Sequence, residues 1–121
     1  MNKVMIAAVV LALGAGTALA HEGHHAAAGA SKTIQGEIVD MACYMGAGEH
    51  GEKHAKCASM CVTGGAPMGL LTKTGTLYLV VENHADEKPY EEAKKLAGGG
   101  ARLTGEIMKK GGVQALIVDR T

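Results

Sequence analysis

Short apolar segments separated by glycine-containing turns follow one another after residue 32, and this pattern constrains the fold most strongly. Five segments have the residue types of β-strands: residues 33–43, 68–72, 76–81, 101–108 and 113–119. Lys73-Thr74-Gly75 lies between the second and third segments, and Lys109-Lys110-Gly111-Gly112 lies between the last two. Short turns that contain glycine between apolar runs are typical of β-hairpins. The sequence therefore predicts a mainly β domain.

The first of these segments is irregular. Ile34, Gly36 and Ile38 share one alternation, after which the apolar positions shift to Val39, Met41 and Cys43. Because a strand alternates with a period of two, a change of phase beside a glycine predicts a bulge or a sharp bend.

Two stretches have helical patterns. Pro89 suits the first turn of a helix, and Tyr90, Ala93 and Leu96 follow at helical spacing before Gly98-Gly99-Gly100 ends the pattern. A second, short helix is predicted over residues 49–60, in the connection between the first two strands.

The resulting order is strand, long loop, strand, strand, helix, strand, strand. Over residues 33–120 it resembles the OB-fold, a five-stranded Greek-key barrel. The resemblance implies a small OB-like barrel with one helix between strands 3 and 4 and a short helix in the strand 1–2 loop. An open sheet with one helix laid across it would use the same pattern.

The first 20 residues have the features of a signal peptide. Lys3 precedes the apolar residues 4–13, and Ala18-Leu19-Ala20 fits a cleavage site. The apolar run is too short for a membrane-spanning helix, so no permanent membrane anchor is expected. Residues 21–32 lack bulky apolar side chains and are predicted to be a flexible, His-rich tail, and residues 33–121 form the domain. We therefore expect an exported protein, periplasmic or extracellular.

Composition narrows the function. The chain has 12 basic and 12 acidic residues, so it lacks the excess of Lys and Arg expected of a nucleic-acid-binding protein. Phe and Trp are absent, which means that the core must be aliphatic. The OB-fold's usual oligonucleotide or sugar ligands are poorly supported, because the predicted second and third strands carry one aromatic residue, Tyr78.

The connection between the first two strands, residues 43–67, contains all three cysteines. His54, Cys57 and Cys61 stand at i, i+3 and i+7, which places them on one face of the predicted helix. Cys43 can complete a site with three thiolates and one imidazole, a ligand set suited to Zn(II) or Cu(I). We therefore predict a metal site formed by Cys43, His54, Cys57 and Cys61.

Two alternatives use the same cysteines. In an oxidising compartment, Cys43 could form a structural disulfide with Cys57 or Cys61 and leave a stapled interaction domain without metal. A periplasmic thiol-disulfide redox protein would need an acidic thiol, for which Cys57, with Lys53 and Lys56 close by, is the candidate. The sequence has no Cys-x-x-Cys motif and no thioredoxin-like order of strands and helices, which favours a non-enzymatic protein.

Other soft donors lie nearby. Met41, Met45, Met60 and Met68 lie in or beside the Cys-rich loop, where they are either Cu(I) ligands or fillers of a core without large aromatic residues. His21, His24 and His25 give the tail a weak chelating capacity, and His50 is a reserve ligand if His54 points away.

Several short motifs carry a wider resemblance. They are Gly36-Glu37-Ile38-Val39-Asp40, Cys43-Tyr44, His54-Ala55-Lys56-Cys57-Ala58-Ser59-Met60-Cys61 and Gly65-Ala66-Pro67-Met68-Gly69-Leu70-Leu71. Together they resemble a set of small exported bacterial proteins with a Cys...His-x-x-Cys-x-x-x-Cys loop. The resemblance implies that Cys43, His54, Cys57 and Cys61 form one constellation, and it implies no particular activity. We expect an exported soft-metal-binding protein with a metal-handling or structural role, for which another periplasmic protein is a candidate partner.

Overall fold

The computed structural model describes residues 29–121, which form a closed five-stranded barrel with additional helices. The strand order around the barrel is β1-β2-β3-β5-β4, and β4 pairs with β1 to close it. The elements in chain order are β1 (Ser31–Asp40), α1 (Met41–Ala47), a 3-10 helix (Glu52–His54), α2 (Ala55–Thr63), β2 (Met68–Leu71), β3 (Leu77–Val81), α3 (Lys88–Lys95), β4 (Gly100–Lys110) and β5 (Val113–Arg120).

The mainly β prediction is confirmed, and closure of the barrel excludes the open sheet. All neighbouring strands are antiparallel except β3 and β5, which run parallel from the Leu79–Ala115 pair to the Val81–Ile117 pair. A parallel pair cannot be joined by a tight turn, so the chain crosses between these two strands through α3 and β4.

The irregularity predicted in the first strand is a change of partner. The first part of β1 pairs with β4 as far as Glu37, and from Glu37 onward the strand pairs with β2. Gly36 lies at this change, where a Cβ atom would come within 2.5 Å of the Leu71 carbonyl oxygen. The shift of register in the barrel lies in the pairing of β4 with β5, between Thr104 and Gly105.

The connection between β1 and β2 differs from the prediction. The first strand ends at Asp40 instead of reaching residue 43, so Cys43 lies in α1. The single helix predicted over residues 49–60 is a 3-10 helix followed by α2. Left-handed backbone at Gly48 (φ 70°) ends α1, and Gly51 (φ 80°) precedes the 3-10 helix, so no continuous helix begins at residue 49.

The core is aliphatic, as the composition required. The barrel contributes Ile38, Leu70, Leu103, Leu116 and Val118, all of them fully buried. Val62 of α2 and Ala93 of α3 are also fully buried in this cluster. Both helices are therefore fixed against the same core as the strands.

The N-terminal predictions lie almost entirely outside the described residues. These are the signal peptide over residues 1–20 and most of the tail over residues 21–32; β1 begins within that tail, at Ser31. Between residues 29 and 121, no helix has the length and apolar character needed to cross a membrane.

Candidate metal centre

The end of β1 brings a carboxylate to the start of the Cys-rich connection. Asp40 is 1% exposed, and its Oδ1 atom accepts a hydrogen bond of 2.9 Å from the backbone N–H of Ala42. This N-cap contact begins α1 directly after the strand. The N–H of Met41 donates to the Pro67 carbonyl at 3.0 Å, which holds the two ends of the connection together. Cys43 is thereby fixed close to the barrel, half-buried.

Helix α2 positions the other two cysteines. Its inward face buries Ala58 and Val62, which are four residues apart and therefore on one side of the helix. Cys57 and Cys61 directly precede these two residues and flank the buried face, with Cys57 exposed and Cys61 half-buried. Packing of the apolar face consequently fixes the direction of both thiols.

His54 lies in the 3-10 helix immediately before α2. Its side chain is 13% exposed, and its Nδ1 atom is 3.9 Å from Oε2 of Glu49. The other ring nitrogen, Nε2, is buried and has no hydrogen-bond partner. A buried polar atom without a partner is costly, so a ligand for Nε2 would stabilise this arrangement.

The potential ligand atoms form two overlapping groups. One contains Cys43, His54 and Cys57, and the other contains Asp40, Cys43 and Cys61; in each group all ligand atoms lie within 4.8 Å of one another. Each of the four residues predicted as metal ligands belongs to at least one group, Cys43 belongs to both, and neither group contains all four. A cation placed within either group could bind the surrounding sulfur, nitrogen or oxygen atoms after small side-chain adjustments.

Asp40 was not predicted. In the sequence it is an ordinary polar residue near the end of a predicted strand, three positions before Cys43. Only its burial in the folded structure distinguishes it. Its Oδ2 atom is buried and has no hydrogen-bond partner, like Nε2 of His54. These two are the buried side-chain polar atoms without partners in residues 29–121, and both belong to the candidate centre.

All three cysteines are free thiols in this structure. The adjacent Asp40 carboxylate, which favours the protonated thiols, raises the pKa of Cys43 to about 12 and also raises the pKa of Cys61. The same interaction with Cys43 lowers the pKa of Asp40. Without a cation, the cluster therefore keeps Cys43 and Cys61 protonated around an ionised carboxylate.

The reserve ligand, His50, belongs to neither group. Its Nδ1 atom is 3.4 Å from Oε2 of Glu37, and its ring meets Tyr44 edge-on with centroids 5.9 Å apart. The four methionines in or beside the Cys-rich loop differ in exposure, and Met41 is half-buried. Met68 is fully buried in the core, whereas Met45 and Met60 are 68% and 67% exposed. Met68 therefore has the gap-filling role.

Comparisons with known proteins found no match to a family model, to a curated protein or to a solved structure.

Proposed function

We propose that this protein binds a soft metal ion, Zn(II) or Cu(I), through Cys43, His54, Cys57 and Cys61. Two observations carry the proposal: ligand atoms of Cys43, His54 and Cys57 lie within 4.8 Å of one another, and the buried Nε2 atom of His54 lacks a hydrogen-bond partner. Thiolate and imidazole together suit both ions. Cys61, which is close to Cys43 in the second group, supplies the fourth ligand when one ion is bound.

The barrel is of the OB-like Greek-key type in this proposal. Support comes from the order β1-β2-β3-β5-β4, from the parallel pairing of β3 with β5, and from α3 between β3 and β4. The metal site then occupies the connection between the first two strands. The barrel supplies a rigid frame, and the ion joins α1 to the 3-10 helix and α2.

We further propose that the protein is exported, on the basis of its N-terminal sequence pattern, and that it handles metal or is stabilised by it. The half-buried position of Cys43 and the exposure of Cys57 support exchange of the ion with solvent or with another periplasmic protein. Balanced charge argues against nucleic acid as a partner.

A second candidate is thiol-disulfide chemistry, because the Cys43 sulfur lies within 4.8 Å of the sulfurs of both Cys57 and Cys61. A disulfide from Cys43 to either residue would give the redox protein or the stapled domain considered above. Metal binding is the better-supported function, because His54 belongs to the same cluster and a disulfide would leave its buried Nε2 atom without a partner.

The test is a metal count together with a thiol count on protein purified anaerobically without chelator. Wild type should retain tightly bound zinc or copper and show three titratable thiols after the metal is removed. Cys43→Ser and Cys57→Ser should each lose most of the bound metal. His84→Ala is the matched control for His54→Ala, because the His84 side chain is fully exposed and belongs to neither group.

Two outcomes would contradict metal binding at this site. One is wild-type protein that is metal-free and cannot be loaded by added Zn(II) or Cu(I) under reducing conditions. The other is bound metal that survives both cysteine substitutions, which would assign it to other residues. A thiol count of one in protein that was never reduced would support the disulfide.

A further inference from the structure

We propose that Asp40, Cys43 and Cys61 form a second cation position, and that the Cys43 thiolate bridges two ions. This inference rests on the proposed function, since the first ion is the one held by Cys43, His54 and Cys57. It assigns a metal-binding role to Asp40. The second ion belongs to the class of divalent, borderline-soft cations such as Zn(II).

The geometry separates two positions. Asp40 and Cys61 form a group with Cys43, whereas His54 and Cys57 form a different group with the same thiol. A single ion would have to gather donors from both groups. Two ions can each use one group, with Cys43 common to both, because a thiolate sulfur has enough lone pairs to bind two metals.

The burial of Asp40 supplies the second argument. Its carboxylate is 1% exposed, Oδ1 is used by the Ala42 N–H, and Oδ2 has no hydrogen-bond partner. Within residues 29–121, no Lys, Arg or His lies within ion-pair distance of this carboxylate. A buried charge is costly without a countercharge, and a cation beside Oδ2 would supply it.

Charge and donor type identify the class of the second ion. The Asp40 carboxylate and the three thiolates carry four negative charges when all are ionised, and a single divalent ion neutralises only half of that charge. One carboxylate oxygen and two thiolates form a ligand set that Zn(II) accepts. Cu(I) prefers sulfur and has less affinity for a carboxylate, so the second position favours a divalent ion.

The experiment counts ions on the reduced full chain by native mass spectrometry during a Zn(II) titration. His21, His24 and His25 are replaced by Ala in every sample, so that tail ligands add nothing to the count. The reference protein should saturate at two ions per chain, and Asp40→Asn should saturate at one. Asn preserves an oxygen that can accept from the Ala42 N–H, so the variant removes the charge while keeping the cap.

The matched control is Asp86→Asn. Asp86 is exposed and also accepts a hydrogen bond from the backbone N–H two residues later, at 3.1 Å from Lys88. This control should still bind two ions. Cys61→Ser is a second variant that should reduce the count to one, and it keeps the inference testable if Asp40→Asn folds poorly.

Cadmium NMR tests the shared sulfur directly. After loading with Cd(II), the reference protein should give two cadmium signals split by their mutual coupling through Cys43, and Asp40→Asn should give one unsplit signal. Two signals without mutual coupling would contradict the bridge.

The other outcomes are also decisive. Saturation of the reference protein at one ion would overturn the second position and leave the proposed function intact, whereas binding of no ion would contradict both. Two ions in Asp40→Asn as well as in the reference would remove Asp40 from the site.

Discussion

Gly98 packs directly against the backbone of Ala55, the first residue of α2, and has left-handed backbone geometry with φ of 82°. Its N–H donates to the Ile38 carbonyl of β1 at 2.8 Å, and the N–H of Ile38 donates to Gly99 at 2.9 Å. The turn after α3 thus contacts both β1 of the barrel and the first residue of α2, the helix that carries Cys57 and Cys61.

Gly98→Ala should therefore lower both stability and metal affinity. A Cβ atom would overlap the Ala55 backbone and strain the positive φ, at a cost of about 2 kcal/mol or more in the free energy of unfolding. Displacement of α2 should also weaken metal binding. Chemical denaturation and a competitive metal titration measure the two effects.

Gly100→Ala is the control, because its Cβ would meet nothing within 4 Å and its φ is not positive. This substitution should change the free energy of unfolding by less than about 1 kcal/mol. Equal effects of the two substitutions would show that the contact with Ala55 is unimportant.

The cap at Asp40 has a role separate from any metal. In the metal-free protein, Asp40→Ala should be less stable than Asp40→Asn by about 1 kcal/mol, since only Asn can replace the bond to the Ala42 N–H. Denaturant unfolding in the presence of a chelator gives the comparison. Identical stabilities would rule out a contribution from the cap.

The raised pKa of Cys43 predicts a loss of stability in alkali for the reduced, metal-free protein. The folded pKa of about 12 lies above the ordinary thiol pKa of 9.0, so the folded chain binds the proton more tightly than the unfolded chain does. The stabilisation is complete below pH 9 and decreases as pH rises towards 12.

The difference in unfolding free energy between wild type and Cys43→Ser isolates this effect, because serine does not titrate in the range. That difference should shift against wild type as pH rises from 9 to 11. A constant difference would contradict the pKa shift.

The carboxylate of Glu49 should strengthen metal binding by the imidazole of His54. When one ring nitrogen of a histidine binds metal, a carboxylate beside the other nitrogen orients the ring and makes it a better ligand. Nδ1 of His54 is 3.9 Å from Oε2 of Glu49. Glu49→Gln should weaken metal binding by about tenfold, the lower end of the range for such outer groups. Glu52→Gln is the control, since Glu52 is an exposed residue of the same 3-10 helix and has no ion pair with His54.

Metal should stabilise the fold, because the ion joins elements that are otherwise linked mainly by packing. At a free metal concentration 100 times the Kd, the free energy of unfolding should rise by about 2.7 kcal/mol. Thermal unfolding with and without chelator measures this. Cys43→Ser should show no such shift, and an equal shift in that variant would assign the stabilisation to other ligands.

Much of the barrel could be predicted because its signals are local. Alternating apolar residues, the hairpin at Lys73-Thr74-Gly75 and the proline at the start of α3 each depend on neighbours within a few positions. The error in the connection between β1 and β2 has a local cause as well. Left-handed glycines and an aspartate cap divided it into separate helices, and these details are hard to weigh against helical periodicity.

The sequence by itself determined the strand-forming segments, the aliphatic composition of the core and the identity of the thiols and imidazole, because these follow from residue type and short-range spacing. Only the tertiary structure decided that the barrel closes and that Asp40 joins the cluster. Closure depends on the pairing of β1 with β4 and of β3 with β5, strands that are not consecutive in the chain. The importance of Asp40 depends on its removal from water, a property that arises only when the chain folds.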